Sequence, residues 1–247
     1  MKFALIGRNI GYSKSKEIFN TDFNSQYDVF DIEENQIPAT IDYLKKYGYT
    51  GFNVTTPYKE IICKYIDNVE IVGCGVNIVR ITPNGKTIGC SRDGFSMRLA
   101  FEDCGITDFL KTAKSVAILG NGSVVPSILY ELSNEAFKNV KHFTLYARNH
   151  RNMMGDNRVN KQPLSEFKVN NHDVIINTIP FKSGFDIDFT CDHPFVYFDL
   201  NYADDTLIKK AKDCFNCKIA ENGYKMLWWN AKFTTELGQR YDTGKSN

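Results

Sequence analysis

Nowhere does this chain approach the roughly 20 consecutive apolar residues that a membrane-spanning helix needs, and no membrane partner is expected. An excess of one charge is missing as well. Lys and Arg number 30 against 29 Asp and Glu, and the formal net charge of +1 is too weak a field to hold nucleic acid or a membrane surface. The apolar run in Met1-Lys2-Phe3-Ala4-Leu5-Ile6-Gly7 is too short for a signal peptide and lacks a small-residue cleavage site, so it reads as a first strand. Histidines are few: His142, His150, His172 and His193 are scattered, with no HExxH pair. Cysteines number seven, an odd and widely spaced set that argues against a disulfide framework and for reduced thiols in a cytoplasm. Cys214 and Cys217 form a lone CxxC without a second pair, which excludes the usual zinc arrangement and favours core packing. No metal site is expected. Internal repeats and low-complexity stretches are also absent.

What is there is a chain of 247 residues, enough for two domains with cores of their own. At 43% hydrophobic and 24% charged it has the composition of a soluble globular protein. The first third alternates strand and helix patterns, with strands over residues 3–6, 27–31 and 51–54 and helices over 14–23, 37–47 and 58–66. Pro38 falls in the first turn of the second helix and Gly48 just past its end. Residues 76–82 and 86–90 pair as a hairpin around Pro83-Asn84-Gly85. Residues 93–103 read as a helix that Asp93 is placed to cap and Gly105 ends. A new unit then opens with a buried strand at 115–119, Gly120-Asn121-Gly122-Ser123 and a helix at 124–132. Strands at 142–146, 174–176, 195–198 and 218–220 and a helix at 206–213 complete it. A last helix covers 224–237, and the polar tail from Arg240 is expected to be loose. Alternating strands and helices predict an α/β protein with mostly parallel sheets.

Two stretches carry candidate chemistry. The first is Gly51-Phe52-Asn53-Val54-Thr55-Thr56-Pro57-Tyr58-Lys59-Glu60. Phe52 and Val54 alternate against Asn53 as a strand end, and Pro57 turns the chain sharply, because the residue before a proline avoids the helical region. Strand ends are where α/β proteins place their chemistry. Asn53, Thr55, Thr56 and Lys59 can together donate to and accept from a small polyol; the plain alternative is a strand-to-helix loop with a surface lysine. The second stretch is strand, Gly120-x-Gly122, helix, strand, the arrangement that brings backbone close to a pyrophosphate. Its alternative is a tight turn without a ligand. The third glycine of the usual pattern is missing, with Ser123 and Val125 near its place. The strand that follows ends in Tyr146-Ala147-Arg148-Asn149-His150-Arg151, with no acid for ribose hydroxyls. Arg148 and Arg151 suit a 2′-phosphate through bidentate bonds, so NADP is favoured over NAD, against the alternative of a solvated basic loop.

Taken together these motifs resemble the shikimate dehydrogenase family, nearly end to end and in consistent order. Gly11-Tyr12-Ser13-Lys14-Ser15 with Asn20 resembles the Ser-x-Ser loop that holds the substrate carboxylate. Residues 51–59 resemble the Gly-x-Asn-Val-Thr-x-Pro-x-Lys motif, the most specific of the set. Gly75-Val76-Asn77 is similar to the Ala-Val-Asn-Thr segment, and Gly89-Cys90-Ser91-Arg92-Asp93-Gly94 to Gly-x-Asn-Thr-Asp-Gly. Ala147-Arg148-Asn149 stands for Asn-Arg-Thr, and Asp173-Val174-Ile175-Ile176-Asn177-Thr178 for Asp-Leu-Ile-Ile-Asn-Ala/Thr. Asp199-Leu200-Asn201-Tyr202 matches a late strand, and the segment from Gly223 through Met226 and Leu227 to Asn230 matches Gly-x-x-Met-Leu-x-x-Gln.

The resemblance implies a reversible NADP-linked oxidation of shikimate to 3-dehydroshikimate, with Lys59 and Asp93 as the catalytic pair. It implies substrate contacts from Ser13, Ser15, Thr55, Asn77, Tyr202 and Asn230. Cofactor contacts fall to Gly120, Asn121, Gly122, Ser123, Arg148, Asn149, Arg151, Asn177, Thr178 and Gly223. It also implies an N-terminal α/β substrate domain at residues 1–100, completed by the C-terminal helix at 224–247, and a Rossmann-like NADP domain at 101–223, with a cleft between them. A small-molecule substrate and a monomer or homodimer are expected. The chemistry of the pair makes sense from below. A hydride leaving a carbinol carbon needs a group to take the hydroxyl proton or return it. A free lysine, with a pKa of about 10.4, is too basic for that at neutral pH; burial would lower it and a neighbouring Asp93 would raise it. Departures cluster near the implied polyol site: Ser91-Arg92 for Asn-Thr, Asn230 for Gln, Lys16 for a proline, Phe19 for a histidine and Ile78 for a threonine. A site that reads hydroxyls by paired hydrogen bonds is sensitive to such changes, so a relative acting on quinate or another cyclic hydroxy acid is the rival, and a non-catalytic NADP- or metabolite-binding protein on the same fold the third reading.

Overall fold

The computed structural model describes residues 1–70, 75–149 and 159–242, the side chains of 240–242 excepted. The chain forms two compact units, Met1–Asp93 with Leu227–Asn247, and Gly94–Met226. Both are α/β.

The first unit opens with β1 (Lys2–Gly7), α1 (Ser15–Asp22), β2 (Gln26–Asp31), α2 (Ile37–Lys46) and β3 (Gly51–Val54). It continues with the short β4 (Asn68–Val69) and the hairpin β5 (Ile78–Ile81) and β6 (Thr87–Cys90). Its sheet runs in the order β2-β1-β3-β5-β6-β4, parallel across β2, β1 and β3 and antiparallel from β3 through β6. One core cluster gathers Ile37, Ile41 and Leu44 of α2 with Phe52 and Val54 of β3, Tyr58 and Ile62. Another gathers Phe3, Leu5, Ile18, Phe19 and Tyr27, where Leu227, Trp228 and Ala231 of the last helix also pack. The apolar positions of α2 recur at i, i+4 and i+7, which is why one face of that helix is buried.

The second unit holds most of α3 (Asp93–Asp103), then α4 (Ile106–Leu110), β7 (Ser115–Leu119), α5 (Val125–Glu131), β8 (His142–Ala147) and β9 (Val159–Pro163). After these come β10 (Val174–Asn177), β11 (Phe195–Asp199), α6 (Thr206–Lys212) and β12 (Cys217–Asn222). All of its strands run parallel, in the order β12-β11-β10-β7-β8-β9. That is the doubly wound dinucleotide-binding order, whose direction of winding reverses between β7 and β10; ligands of such sheets bind outside the carboxyl ends of the strands at that reversal. The last helix, α7 (Tyr224–Asp242), leaves this unit and ends in the first. Among the described residues no helix is long and apolar enough to cross a membrane.

Several elements differ from the sequence expectation. The helix expected over 58–66 is only a 3₁₀ turn at Ile61–Lys64. The Lys59 carbonyl accepts Val76 N–H at 2.8 Å, and Tyr58 is anchored through its hydroxyl to the Ile32 carbonyl at 2.6 Å. Two-residue β4 and polar β9, which ends in Pro163, carry too little apolar pattern to read as strands, and short α4 was likewise not expected. The final helix runs past Arg240 to Asp242, so the loose tail does not begin where the composition suggested. Cys214 and Cys217 pack at the edge of the second unit's core.

Candidate active site

Lys59 is carried by the turn after β3, where the Thr56–Pro57 peptide is cis and Tyr58 N–H bonds back to the Thr55 carbonyl at 2.9 Å. Asp93 stands where β6 gives way to α3. Lys59 Nζ donates to Asp93 Oδ2 at 2.5 Å, with the two side chains only 14% and 3% exposed. An ion pair taken this far out of water needs further hydrogen bonds to offset desolvation. Asp93 Oδ1 receives them from Asn77 Nδ2 at 3.0 Å and Asn230 Nδ2 at 3.1 Å. Asn77 Nδ2 also donates to Asn230 Oδ1 at 3.1 Å, and Asn77 Oδ1 accepts from Arg92 N–H at 2.8 Å. Four expected residues, Lys59, Asn77, Asp93 and Asn230, thus meet in one mesh drawn from four separate stretches of chain.

Behind the mesh lies a tier that the sequence reading assigned differently. Asn53, expected to face a polyol, is only 8% exposed and fully engaged. Its Oδ1 accepts from Tyr27 at 3.0 Å, and its Nδ2 donates to Thr234 Oγ1 at 2.8 Å and the Asn77 carbonyl at 3.2 Å. Thr234 in turn donates to the Asn230 carbonyl at 2.8 Å. Asn53 therefore braces Asn77 and α7, and Thr234 had no motif to reveal it. Ser13 and Ser15 form a pair of their own at the start of α1, hydroxyl to hydroxyl at 3.1 Å. Thr55 lies on the Lys59 turn, half-buried, and Thr56 is exposed. Arg92 turns its guanidinium to Glu70 at 3.8 Å. Tyr202 lies in the second unit, half-buried after β11.

In the second unit Gly120 follows β7 with φ +102°, a conformation that favours glycine. A Cβ there would come within 2.5 Å of Thr178 Oγ1, so the turns after β7 and β10 touch at the winding reversal. Thr178 fastens them further, its N–H and hydroxyl both donating to the Leu119 carbonyl at 2.8 and 2.7 Å. Gly122 is exposed with open space where a side chain would stand, Ser123 is half-buried, and Asn121 Nδ2 reaches across to the Asn149 carbonyl at 2.7 Å. Asn121 Oδ1 is buried without a hydrogen-bond partner among the described residues. Arg148 and Asn149 are exposed beyond β8; Arg151 lies outside the described residues. Gly223 N–H bonds to the Asn201 carbonyl at 3.1 Å.

Asn177 is buried, its amide donating to the Tyr197 hydroxyl and Asp199 Oδ2, both at 3.2 Å. Asp199, also buried, accepts from Tyr197 at 2.8 Å and from Asn201 Nδ2 at 2.6 Å. Burial pushes its carboxyl above the usual range, opposed by those hydrogen bonds. A pocket of about 280 Å³ opens beside this network, lined in part by Asn177, Phe181, Asp199, Asn201 and Lys210. Asp199 and Asn201 were not among the expected site residues. The signal was available: a carboxylate closing an otherwise apolar strand at its carboxyl end.

Three comparisons bear on this arrangement. A family model described as the shikimate dehydrogenase substrate binding domain matches residues 5–73. The chain is 30% identical to the shikimate dehydrogenase (NADP(+)) of Clostridium botulinum strain 657, across 92% of each protein. Its fold is similar to that of shikimate dehydrogenase 1 from Peptoclostridium difficile, with a TM-score of 0.80 at 23% identity, covering 96% of this chain and 91% of that one. A quinate dehydrogenase from Corynebacterium glutamicum in complex with NAD is similar too, with a TM-score of 0.78 at 20% identity over 96% and 93% of the chains.

Proposed function

This chain belongs to the shikimate dehydrogenase family, and from that premise we propose that it interconverts shikimate and 3-dehydroshikimate with NADP. The observation that carries the reading is the Lys59–Asp93 pair held by Asn77 and Asn230. NADP, which Gly120, Gly122 and Arg148 would hold, would supply the hydride acceptor for oxidation and, as NADPH, the hydride donor for reduction. The residues supply the rest. Lys59 Nζ, as the neutral amine, would take the hydroxyl proton from the reacting carbon in oxidation and, as the ammonium, give it back when the carbonyl is reduced. Asp93 fixes the direction of the ammonium, and orientation is itself worth rate. With Asn77 and Asn230 saturating its second oxygen, the carboxylate has one free course, toward Lys59. Ser13 and Ser15 offer hydroxyl donors for the substrate carboxylate, and Thr55, Asn77 and Asn230 offer groups that both donate and accept for its ring hydroxyls.

The second unit fits the cofactor on its own terms. Gly120 and open Gly122 leave backbone accessible where the winding reverses, Asn121 Oδ1 is an acceptor without a donor among the described residues, and no acid ends β8. Arg148 is the guanidinium there for a 2′-phosphate, with Asn149 beside it and Arg151 further along. Asn177 and Thr178 act through their bonds to Asp199 and Leu119, holding the turn after β10, and Gly223 does the same after β12. Among the described residues Cys63, Cys90, Cys104, Cys191, Cys214 and Cys217 are free thiols, which suits a cytoplasmic enzyme. The deciding experiment is NADPH formation on a panel of shikimate, quinate and related hydroxy acids. Turnover of shikimate with NADP and none with NAD is the expected result. Oxidation of another acid while shikimate is ignored would show that Ser91, Arg92 and Asn230 have rebuilt the pocket.

A further inference from the structure

Asn121 sits between the two glycines of the turn after β7, and the two ends of its carboxamide do different things. Nδ2 donates to the Asn149 carbonyl at 2.7 Å, tying this turn to the segment that leaves β8. Oδ1 is buried and accepts no hydrogen bond among the described residues. Arg148, joined to Asn149 by one peptide bond, is exposed.

We infer that Asn121 is a specificity-determining residue for the nucleotide: its N–H strap to Asn149 sets where Arg148 is presented and so favours a ribose bearing a 2′-phosphate over one bearing a hydroxyl. The inference rests on the NADP reading of the second unit. A guanidinium gains its advantage over a phosphate from a fixed, two-pronged geometry. An arginine on an exposed strand-end loop loses that advantage to the ordering of its own backbone and side chain, unless something else has already ordered the loop. The Asn121 strap is that prior ordering. Oδ1 does a separate job. A buried acceptor without a donor is unfavourable, and a 2′-phosphate ionised at neutral pH has little proton to offer it. A ribose hydroxyl or the adenine amino group does, and both are common to NAD and NADP. The two atoms therefore make separable contributions, Oδ1 to either nucleotide and Nδ2 to the phosphorylated one.

The test is direct binding, by calorimetric titration of NADP, NAD, 2′,5′-ADP and 5′-AMP into the full chain. Asn121→Ala should weaken all four modestly and cut the preference for the 2′-phosphate by about tenfold, the worth of one hydrogen bond lost. Arg148→Ala should abolish the preference, and adding Asn121→Ala to it should lower the ratio no further. If Asn121→Ala fails to fold by circular dichroism, Asn121→Ser, which also cannot reach Asn149, should give the same loss. A variant that weakens all four ligands equally, or none, overturns the role of Asn121 while leaving the NADP reading intact. A wild-type protein with no preference for the 2′-phosphate overturns both.

Discussion

Asn230 and Asp93 stand 137 positions apart in sequence and 3.1 Å apart in space, the amide of one donating to the carboxylate oxygen that Lys59 leaves free. The carboxylate is thereby held from both sides.

Lys59→Ala and Asp93→Ala should each lower kcat by about 10²–10⁴, the range for a positioned acid–base group. Because each acts through the other, the double variant should be little worse than the worse single one. Steady-state kinetics on variants of intact fold would check this, and near wild-type kcat in both singles would remove the pair from the chemistry.

Asn230 is one methylene shorter than the glutamine of the motif it matches. Asn230→Gln carries the amide further from α7 and, on the proposed contact with a ring hydroxyl, should lower the KM for shikimate by about threefold to tenfold, the worth of a gained hydrogen bond. Its bonds to Asp93 and Asn77 would loosen in exchange. A fall in kcat at constant KM would show instead that the amide serves Asp93 and not the substrate.

His172 is buried against Phe167, and its Nε2 pairs with the Tyr146 hydroxyl at 2.9 Å. Burial lowers its pKa to about 4, against the raising effect of Asp173. The unfolded chain therefore takes up a proton near pH 6.5 that the folded protein refuses until about 4. Stability is unaffected above that window, falls as pH drops through it, and levels off below, by up to roughly 3 kcal/mol from this group. Urea midpoints at pH 7 and pH 5 should differ more for the wild type than for His172→Gln. Equal pH dependence in the two proteins would refute the assignment.

Gly94 N–H donates to Ser127 Oγ at 2.8 Å, and a Cβ on Gly94 would lie 2.0 Å from the Ser127 carbonyl oxygen. Gly94→Ala must push α3 off α5 and should destabilise the protein by about 2–3 kcal/mol. Gly11→Ala, with no atom within 4 Å of the new methyl, is the control and should change stability by less than about 0.5 kcal/mol. Equal urea midpoints for the two variants would contradict the close packing.

Strands buried on both faces were easy to read, because an unbroken run such as Ser115–Leu119 has few other uses in a chain of this composition. The segment after Pro57 was misread as a helix because propensity does not show that the Lys59 carbonyl will be claimed by Val76. Polar β9 is held by its neighbour β8, not by its own pattern. In the site, motif spacing marked Lys59, Asn77, Asp93 and Asn230 singly. Their mutual bonds, across separations of 16 to 153 positions, are set by the fold alone. Asn53 shows the limit of chemical type as a guide, since an amide six positions before the proposed catalytic lysine serves as a brace.

The last helix has one more consequence, for the nascent chain. Trp228 and Leu227 cover Phe23 and the cluster around Phe3, Phe19 and Tyr27, and Trp228 fastens to Asp22 at 2.9 Å. A ribosome makes α7 only after the whole of the second unit. Until then Phe3, Phe19, Phe23 and Tyr27 lack the cover of Leu227 and Trp228, and Asp93 lacks the Asn230 amide, so the first unit cannot be completed before the chain has been made down to α7.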